Sequence, residues 1–149
     1  MSVGNVCNRE VICIEKEASI LKASQLMRQY HVGDLVVTEK HGEKMVPIAM
    51  LTDRDIVIEV LAKEVDFDAI TVKDVMSQFL LMVDEKESVL DVVQKMYDHG
   101  VRRVPIINKW EALVGIFTVD DLIDLMAEQL TNVAHLISKE QQRERTLRS

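Results

Sequence analysis

The sequence predicts a mixed α/β (α+β) chain of two pseudo-twofold β-α-β-β-α repeats with an extended C-terminal helix. Two observations carry most of that prediction. The chain repeats itself at a constant offset of 69 positions, so that Val3, Val6, Ser19, Leu21, Gln25, Met27 and Val32 return as Val72, Val75, Ser88, Leu90, Gln94, Met96 and Val101. After a three-residue slip the register resumes at offset 66, where Leu51-Thr52-Asp53-Arg54-Asp55-Ile56 lies over Phe117-Thr118-Val119-Asp120-Asp121-Leu122. A period this long, seen twice, points to a pair of small domains rather than to an open-ended solenoid. The expected division is residues 1–66 for the first repeat, 67–127 for the second and 128–149 for a helical extension with a polar tail.

The elements follow from pattern. Val11-Ile12-Cys13-Ile14 and Leu80-Leu81-Met82-Val83 are short apolar runs that read as buried strands. Ser19 and Ser88 stand as N-caps before helical stripes, Ile20, Ala23, Leu26, Met27 and Tyr30 in one copy and Val89, Val92, Val93, Met96 and Tyr97 in the other. Gly100 follows His99 where a helix end needs a left-handed residue. Two strands come next in each repeat, Gly33 to Thr38 and Met45 to Leu51, then Arg103 to Ile107 and Ala112 to Phe117. Lys40-His41-Gly42 and Asn108-Lys109-Trp110-Glu111 form the turns between them. Each second strand runs through a Thr into a helix, beginning at Asp53 and at Val119; the first fades near Ala62-Lys63-Glu64, and Val65 to Ile70 link it to Thr71.

Composition narrows the function. Nearly half of the 149 residues (48%) are hydrophobic and 29% are charged, ordinary for a globular domain, while aromatics at 4% leave an aliphatic core. Repeats of about 60 residues are marginal alone, so each is expected to bury its best face against the other. The net charge is 18 − 25 = −7 with no long basic run, which argues against nucleic acid as a partner. No apolar run approaches the ~20 residues that span a bilayer, and Met1-Ser2-Val3-Gly4-Asn5 lacks the pattern of a signal peptide, so no membrane contact and a cytoplasmic location are expected. Cys7 and Cys13 align with Met76 and Met82, which reads as buried structural thiols, and the histidines show no ligand spacing, so no metal site is expected.

No nucleophile with its base and orienting acid can be read from the chain, nor a P-loop, GxGxxG or GxSxG motif, so no catalytic residue is assigned. What stands out is Thr-x-x-Asp at two strand-to-helix junctions, Thr52/Asp55 and Thr118/Asp121. Both copies fit a variant capping box; a carboxylate one turn into a helix can also accept hydrogen bonds from ribose hydroxyls. The two roles compete for the same Asp.

The duplicated order resembles a tandem pair of cystathionine-β-synthase-type (CBS) domains, a Bateman module. The resemblance covers Val3 to about Ala127 and rests on His31-Val32-Gly33-Asp34-Leu35-Val36-Val37, Leu51-Thr52-Asp53-Arg54-Asp55-Ile56, Gly100-Val101-Arg102-Arg103-Val104-Pro105-Ile106 and Val114-Gly115-Ile116-Phe117-Thr118. Ala49 replaces the glycine that Gly115 supplies, and Val36 the proline that Pro105 supplies. The resemblance implies a regulatory module without catalysis or catalytic cofactor, binding adenosine-containing ligands between the repeats. AMP, ADP or ATP is the expected regulatory ligand. It also implies cross-paired sites: Thr52, Arg54 and Asp55 with Met82, Val101, Arg102, Arg103 and Pro105, and Thr118 and Asp121 with Cys13, Gly33, Asp34 and Leu35. Asp34 falls where the other repeat has Arg103, so the second site is expected to repel phosphate and one site to dominate. The alternative is a structural protein whose repeats serve dimerisation with unoccupied sites.

The last helix carries a further stripe, Leu122, Met126, Leu130, Val133 and Ile137, before a tail with Arg143, Arg145 and Arg148. It fits a helix packed on its own domain or one shared in a homodimer, and the dimer is the expectation. A regulated partner protein is implied as well, its identity not written in the chain.

Overall fold

In the computed structural model, which describes residues 1–77 and 80–148, two three-stranded sheets face each other across a pseudo-twofold axis. In the first, β1 (Cys13–Glu15) pairs in parallel with β2 (Asp34–His41), which pairs antiparallel with β3 (Lys44–Thr52). In the second, β4 (Val83–Asp84), β5 (Arg103–Ile107) and β6 (Leu113–Thr118) repeat that order and those directions. Helices α1 (Ile20–Tyr30) and α4 (Val89–His99) join the parallel strands. Even the ladder irregularities match, falling between Val37 and Thr38 in one copy and Ile106 and Ile107 in the other.

Both long helices start as expected, because Ser19 Oγ accepts from Lys22 N and Ser88 Oγ from Asp91 N. Their C-terminal residues are left-handed, Gly100 at φ 64° and His31 at φ 54°; only the first takes that conformation without steric cost. The first strands begin later than the apolar runs, at Cys13 and Val83, where parallel pairing with Val36 of β2 and Ile106 of β5 starts; Val11 and Leu80 instead pack between the sheets. Downstream of β3, α2 (Asp53–Ile56) passes into a π-helical turn, Val57–Leu61. A short α3 (Val72–Val75) opens the second repeat, and α5 (Val119–Arg148) is 30 residues long.

The two repeats exchange their first segments. Val72 and Val75 belong to the core of the first repeat, with Ile20, Leu35, Leu51 and Val60, while Val3 belongs to the core of the second, with Val83, Val92, Val104 and Phe117. The hydrogen bonds obey the sequence repeat. Val3 N donates to Glu87 O and Gly4 N to Glu85 O, and their counterparts Val72 N and Lys73 N donate to Ala18 O and Lys16 O. Asn8 bridges the outer edge of β6 at Ile116, and Ser77 bridges the edge of β3 at Met50. Each repeat thus supplies the piece that covers the other's open sheet edge.

A third, smaller core of Val36, Met50 and Ile116 lies between the sheets and makes β2 and β6 apolar on both faces. Cys7 and Cys13 are free and only partly buried, a correction to the expectation of buried thiols. Burial still pushes both thiols above their ordinary range. Cys7 has a packing role: a Cβ at Gly115 would lie 2.6 Å from its Sγ, so that crossing admits glycine, while Ala49 fits the corresponding position.

The exchange makes a measurable prediction. Val3→Ala and Val72→Ala each remove two methyl groups from a fully buried site, and each should cost about 1–3 kcal/mol in urea unfolding. An effect of Val3→Ala within about 0.3 kcal/mol of zero would refute the exchange as a structural element.

Candidate functional site

The site region is built where β3 and β6 end. Thr52 Oγ1 accepts from Asp55 N and Thr118 Oγ1 from Asp121 N, each at 3.1 Å. In return Asp55 Oδ2 accepts from Thr52 N and Asp121 Oδ2 from Thr118 N, each at 2.9 Å. Both motifs are therefore closed capping boxes. The same sequence occurs a third time, at Thr71/Asp74, where Asp74 Oδ2 accepts from Thr71 N at 2.9 Å beside the linker. Thr-x-x-Asp alone is thus a folding signal. Each box engages a single carboxylate oxygen, and among the described residues Oδ1 of Asp55 and of Asp121 makes no hydrogen bond. Capping and ligand recognition, which the sequence sets in competition, can be shared between the two oxygens of one Asp.

Strand register places the axial residues beside these boxes. Asp34 on β2 is opposite Thr52, and Arg103 on β5 is opposite Thr118. Asp34 and Arg103 occupy equivalent positions in the two repeats, so each lies near the pseudo-twofold axis and meets its own counterpart. They form an ion pair across it, Arg103 Nε to Asp34 Oδ1 at 3.3 Å, angled so that no hydrogen bond forms. Burial is the largest influence on Asp34, outweighs the guanidinium and, with help from Asp53, pushes its carboxyl above the ordinary range. The pair does not recover the cost of burying the carboxylate.

One cleft is formed at the Thr118 end. About 260 Å3 in volume, it is lined by Asn8, Glu10, Val11, Ile12, Val32, Asp34, Val36, Ile116, Thr118, Asp120 and Asp121. It brings together Asp34, Thr118 and Asp121 of the second expected site. Leu35 is fully buried and turns its side chain into the core of the first repeat, and Cys13 packs between the sheets. Gly33 sits against Asp53, whose Oδ2 lies 3.1 Å from where a Cβ would be. Val36 and Ile116, missed in the sequence, were readable from strand alternation with Asp34 and Thr118. Glu10 carried no signal, because the exchanged N-terminal segment brings it there.

For the other expected site, Arg54 and Arg102 are exposed, Met82 is 37% exposed, Val101 packs on the second core and Pro105 is buried. Among the described residues no hydrogen bond or ion pair joins Thr52, Arg54 or Asp55 to Met82, Arg102 or Pro105; the connection between the halves here is the Asp34–Arg103 pair.

The CBS-domain family model matches residues 3–62 and 72–128. The chain belongs to the CBS-domain family. A CBS domain-containing protein of Bacillus subtilis, YhcV, is 34% identical over 140 residues, covering 90% of this chain and 96% of its own. Hypoxic response protein 1 of Mycobacterium tuberculosis is 34% identical over 118 residues, 79% of this chain and 80% of its own. An uncharacterized protein of Methanopyrus kandleri is 33% identical over 84% of this chain, which spans 62% of that protein's length. Among solved structures, the CBS domain protein of Pyrobaculum aerophilum complexed with AMP superimposes with TM-score 0.72 at 24% identity, covering 82% of this chain and 90% of that one. The CBS pair of protein MJ0100, with 5-methylthioadenosine and S-adenosyl-L-methionine, gives 0.73 at 22%, covering 87% and 98%. The last two likenesses are of fold. Among the described residues, no group of three His, Cys, Asp or Glu side chains is placed to hold a metal ion, and no helix is long and apolar enough to cross a membrane.

The position of Asp34 in this CBS pair predicts a pH signature. Its raised value means the folded state holds the carboxyl proton more tightly than the unfolded chain. That contribution is complete in acid and is lost as pH rises through the folded-state value. Asp34→Asn should therefore gain on the wild type in urea-unfolding stability between about pH 3 and pH 7. A difference that is flat over that range, or that moves in the wild type's favour, would contradict the burial of this carboxylate.

Proposed function

We propose that this CBS pair is a regulatory module, without catalysis of its own, that binds one adenine nucleotide (AMP, ADP or ATP) per chain between its repeats and acts through its assembly or a partner protein. The observation that carries the proposal is the pair of capped Thr junctions flanking the Asp34–Arg103 ion pair, with carboxylates lining the cleft at the Thr118 end. On the Thr52 side Arg54, Arg102 and Arg103 can neutralise phosphate by charge-assisted hydrogen bonds. On the Thr118 side the cleft lining contains Glu10, Asp34, Asp120 and Asp121 and no Lys or Arg, which opposes an anion. The nucleotide site is assigned to Thr52, Arg54, Asp55, Met82, Val101, Arg102, Arg103 and Pro105, with Oδ1 of Asp55 accepting from the ribose. The chains of like fold that hold AMP or S-adenosylmethionine support the ligand class.

Calorimetry with AMP should show one dominant site per chain, weakened by salt. Asp55→Ala should lose about 1–3 kcal/mol of that binding. Asp74→Ala removes a comparable cap beside the linker and serves as the control: it should cost about 0.5–2 kcal/mol of stability and leave binding unchanged. Equal losses of binding in both variants, or two sites of equal affinity and salt dependence, would defeat the assignment. No binding by the wild type would favour a purely structural role.

The assembly acts through α5. Its first turns pack Leu122 and Leu125 on the second core, but every residue from Met126 to Arg148 is exposed, including Met126, Leu130, Val133, Leu136 and Ile137. Alongside runs an apolar groove of about 500 Å3 between α4 and α5, with Met1, Leu90, Leu122, Met126 and Leu130 in its lining. Charge divides the helix: Asp120, Asp121, Asp124 and Glu128 occupy one half, and Lys139, Arg143, Arg145 and Arg148 dominate the other. An antiparallel α5 from a second chain would match acid to base and cover both stripes. Light scattering should report a homodimer for the intact chain and a monomer after truncation before Thr131. A monomeric intact chain would defeat the dimer, and a truncated dimer would defeat the role of α5.

A further inference from the structure

Resting on the nucleotide reading above, we propose that Arg103 is a phosphate ligand held in reserve by Asp34, so that the module accepts one anionic adenosine ligand per chain at a time. The argument begins with symmetry. Equivalent residues meet at a pseudo-twofold axis, and here the two copies of that position have become opposite charges. Arg103 stands opposite Thr118 in its own sheet and extends its guanidinium toward the carboxylate that stands opposite Thr52. The pair is thus a charged link between the two repeats, with Asp34 and not Arg103 in the lining of the Thr118 cleft.

The pair is poorly made for structure. It closes at 3.3 Å without a hydrogen bond, Arg103 Nε is buried with no hydrogen-bond partner among the described residues, and the side chains of Arg103 and Asp34 keep 32% and 18% exposure. A guanidinium forms its best contacts as two parallel N–H···O bonds to a planar or tetrahedral oxyanion, which this approach to Asp34 does not provide. A phosphate at the Thr52 junction could offer that geometry and draw Arg103 from the carboxylate. Asp34 would then stand as an uncompensated negative charge, with Asp53 beside it and Asp120 and Asp121 across the cleft. A second phosphate would meet that charge with its cation already in use. The first anion thereby excludes the second, while an uncharged adenosine compound is indifferent to the exchange.

Calorimetry with two probes, AMP and adenosine, on the wild type, Asp34→Asn and Arg103→Gln tests this, each chain first checked for a cooperative thermal transition. Asp34→Asn should bind AMP about tenfold or more tightly, because the internal competitor is gone, with adenosine affinity unchanged. Arg103→Gln should weaken AMP by about tenfold or more and again leave adenosine unchanged. Wild type should take one AMP per chain. Unchanged AMP affinity in Asp34→Asn, equal shifts for both probes, or two equivalent AMP sites in the wild type would each overturn the inference of an arginine held in reserve while leaving nucleotide binding intact. Absence of binding of either probe to the wild type would overturn the nucleotide reading and this inference together.

Discussion

Neither repeat can close its own core, and the reciprocal exchange of their leading segments is the constraint on which the rest of the molecule depends. Val72 and Val75 complete the first repeat while Val3 completes the second, and equivalent backbone hydrogen bonds fix both segments. Units of about 60 residues bury too small a fraction of their surface to be robust alone. Exchange joins them into one cooperative body. It also sets the distance between the sheets, because Asn8 and Ser77 are bridged to the edges of β6 and β3. The apolar contact of Val36, Met50 and Ile116 then fills the space between, and the clefts are what remain at its margins.

Pseudo-symmetry gives this body two versions of every feature and a single axis where the versions meet. Away from the axis the copies diverge without consulting each other: Ala49 and Gly115 differ because only Gly115 is crossed by Cys7. On the axis divergence is coupled. Two aspartates at positions 34 and 103 would repel, and two arginines would likewise; one of each attracts. That choice necessarily makes the halves electrostatically unequal, since the cation is supplied from one repeat and the carboxylate from the other.

The long α5 is bound by neither constraint. Its first turns belong to the second core, and from Met126 onward no described residue of the chain covers its apolar side. Helices in proteins draw most of their stability from packing of an amphipathic face. A helix of this length, about 45 Å, is therefore the element whose stability is most sensitive to assembly, and it springs directly from the Thr118 junction that borders a cleft.

Several features were legible in the residues alone. Ser19 and Ser88 announced their helices, Gly100 its helix end, and the recurrence of Val3 as Val72 announced the duplication, because caps, turns and repeats are local or self-referential signals. The family was legible from four short segments together. Other features were decided only by tertiary structure. Thr71/Asp74 is spelled like Thr52/Asp55 yet lies beside the linker, so spelling alone could not separate a cap from a cap at a site. Leu35 sits in the motif, but alternation turns its side chain to the core. Glu10 entered a cleft and Val3 a foreign core because the chain exchanges segments. The Asp34–Arg103 contact joins residues 69 positions apart. Local chemistry is written in neighbouring residues, whereas which surfaces meet depends on how two incomplete cores close against each other, and that minimum is defined only for the folded chain.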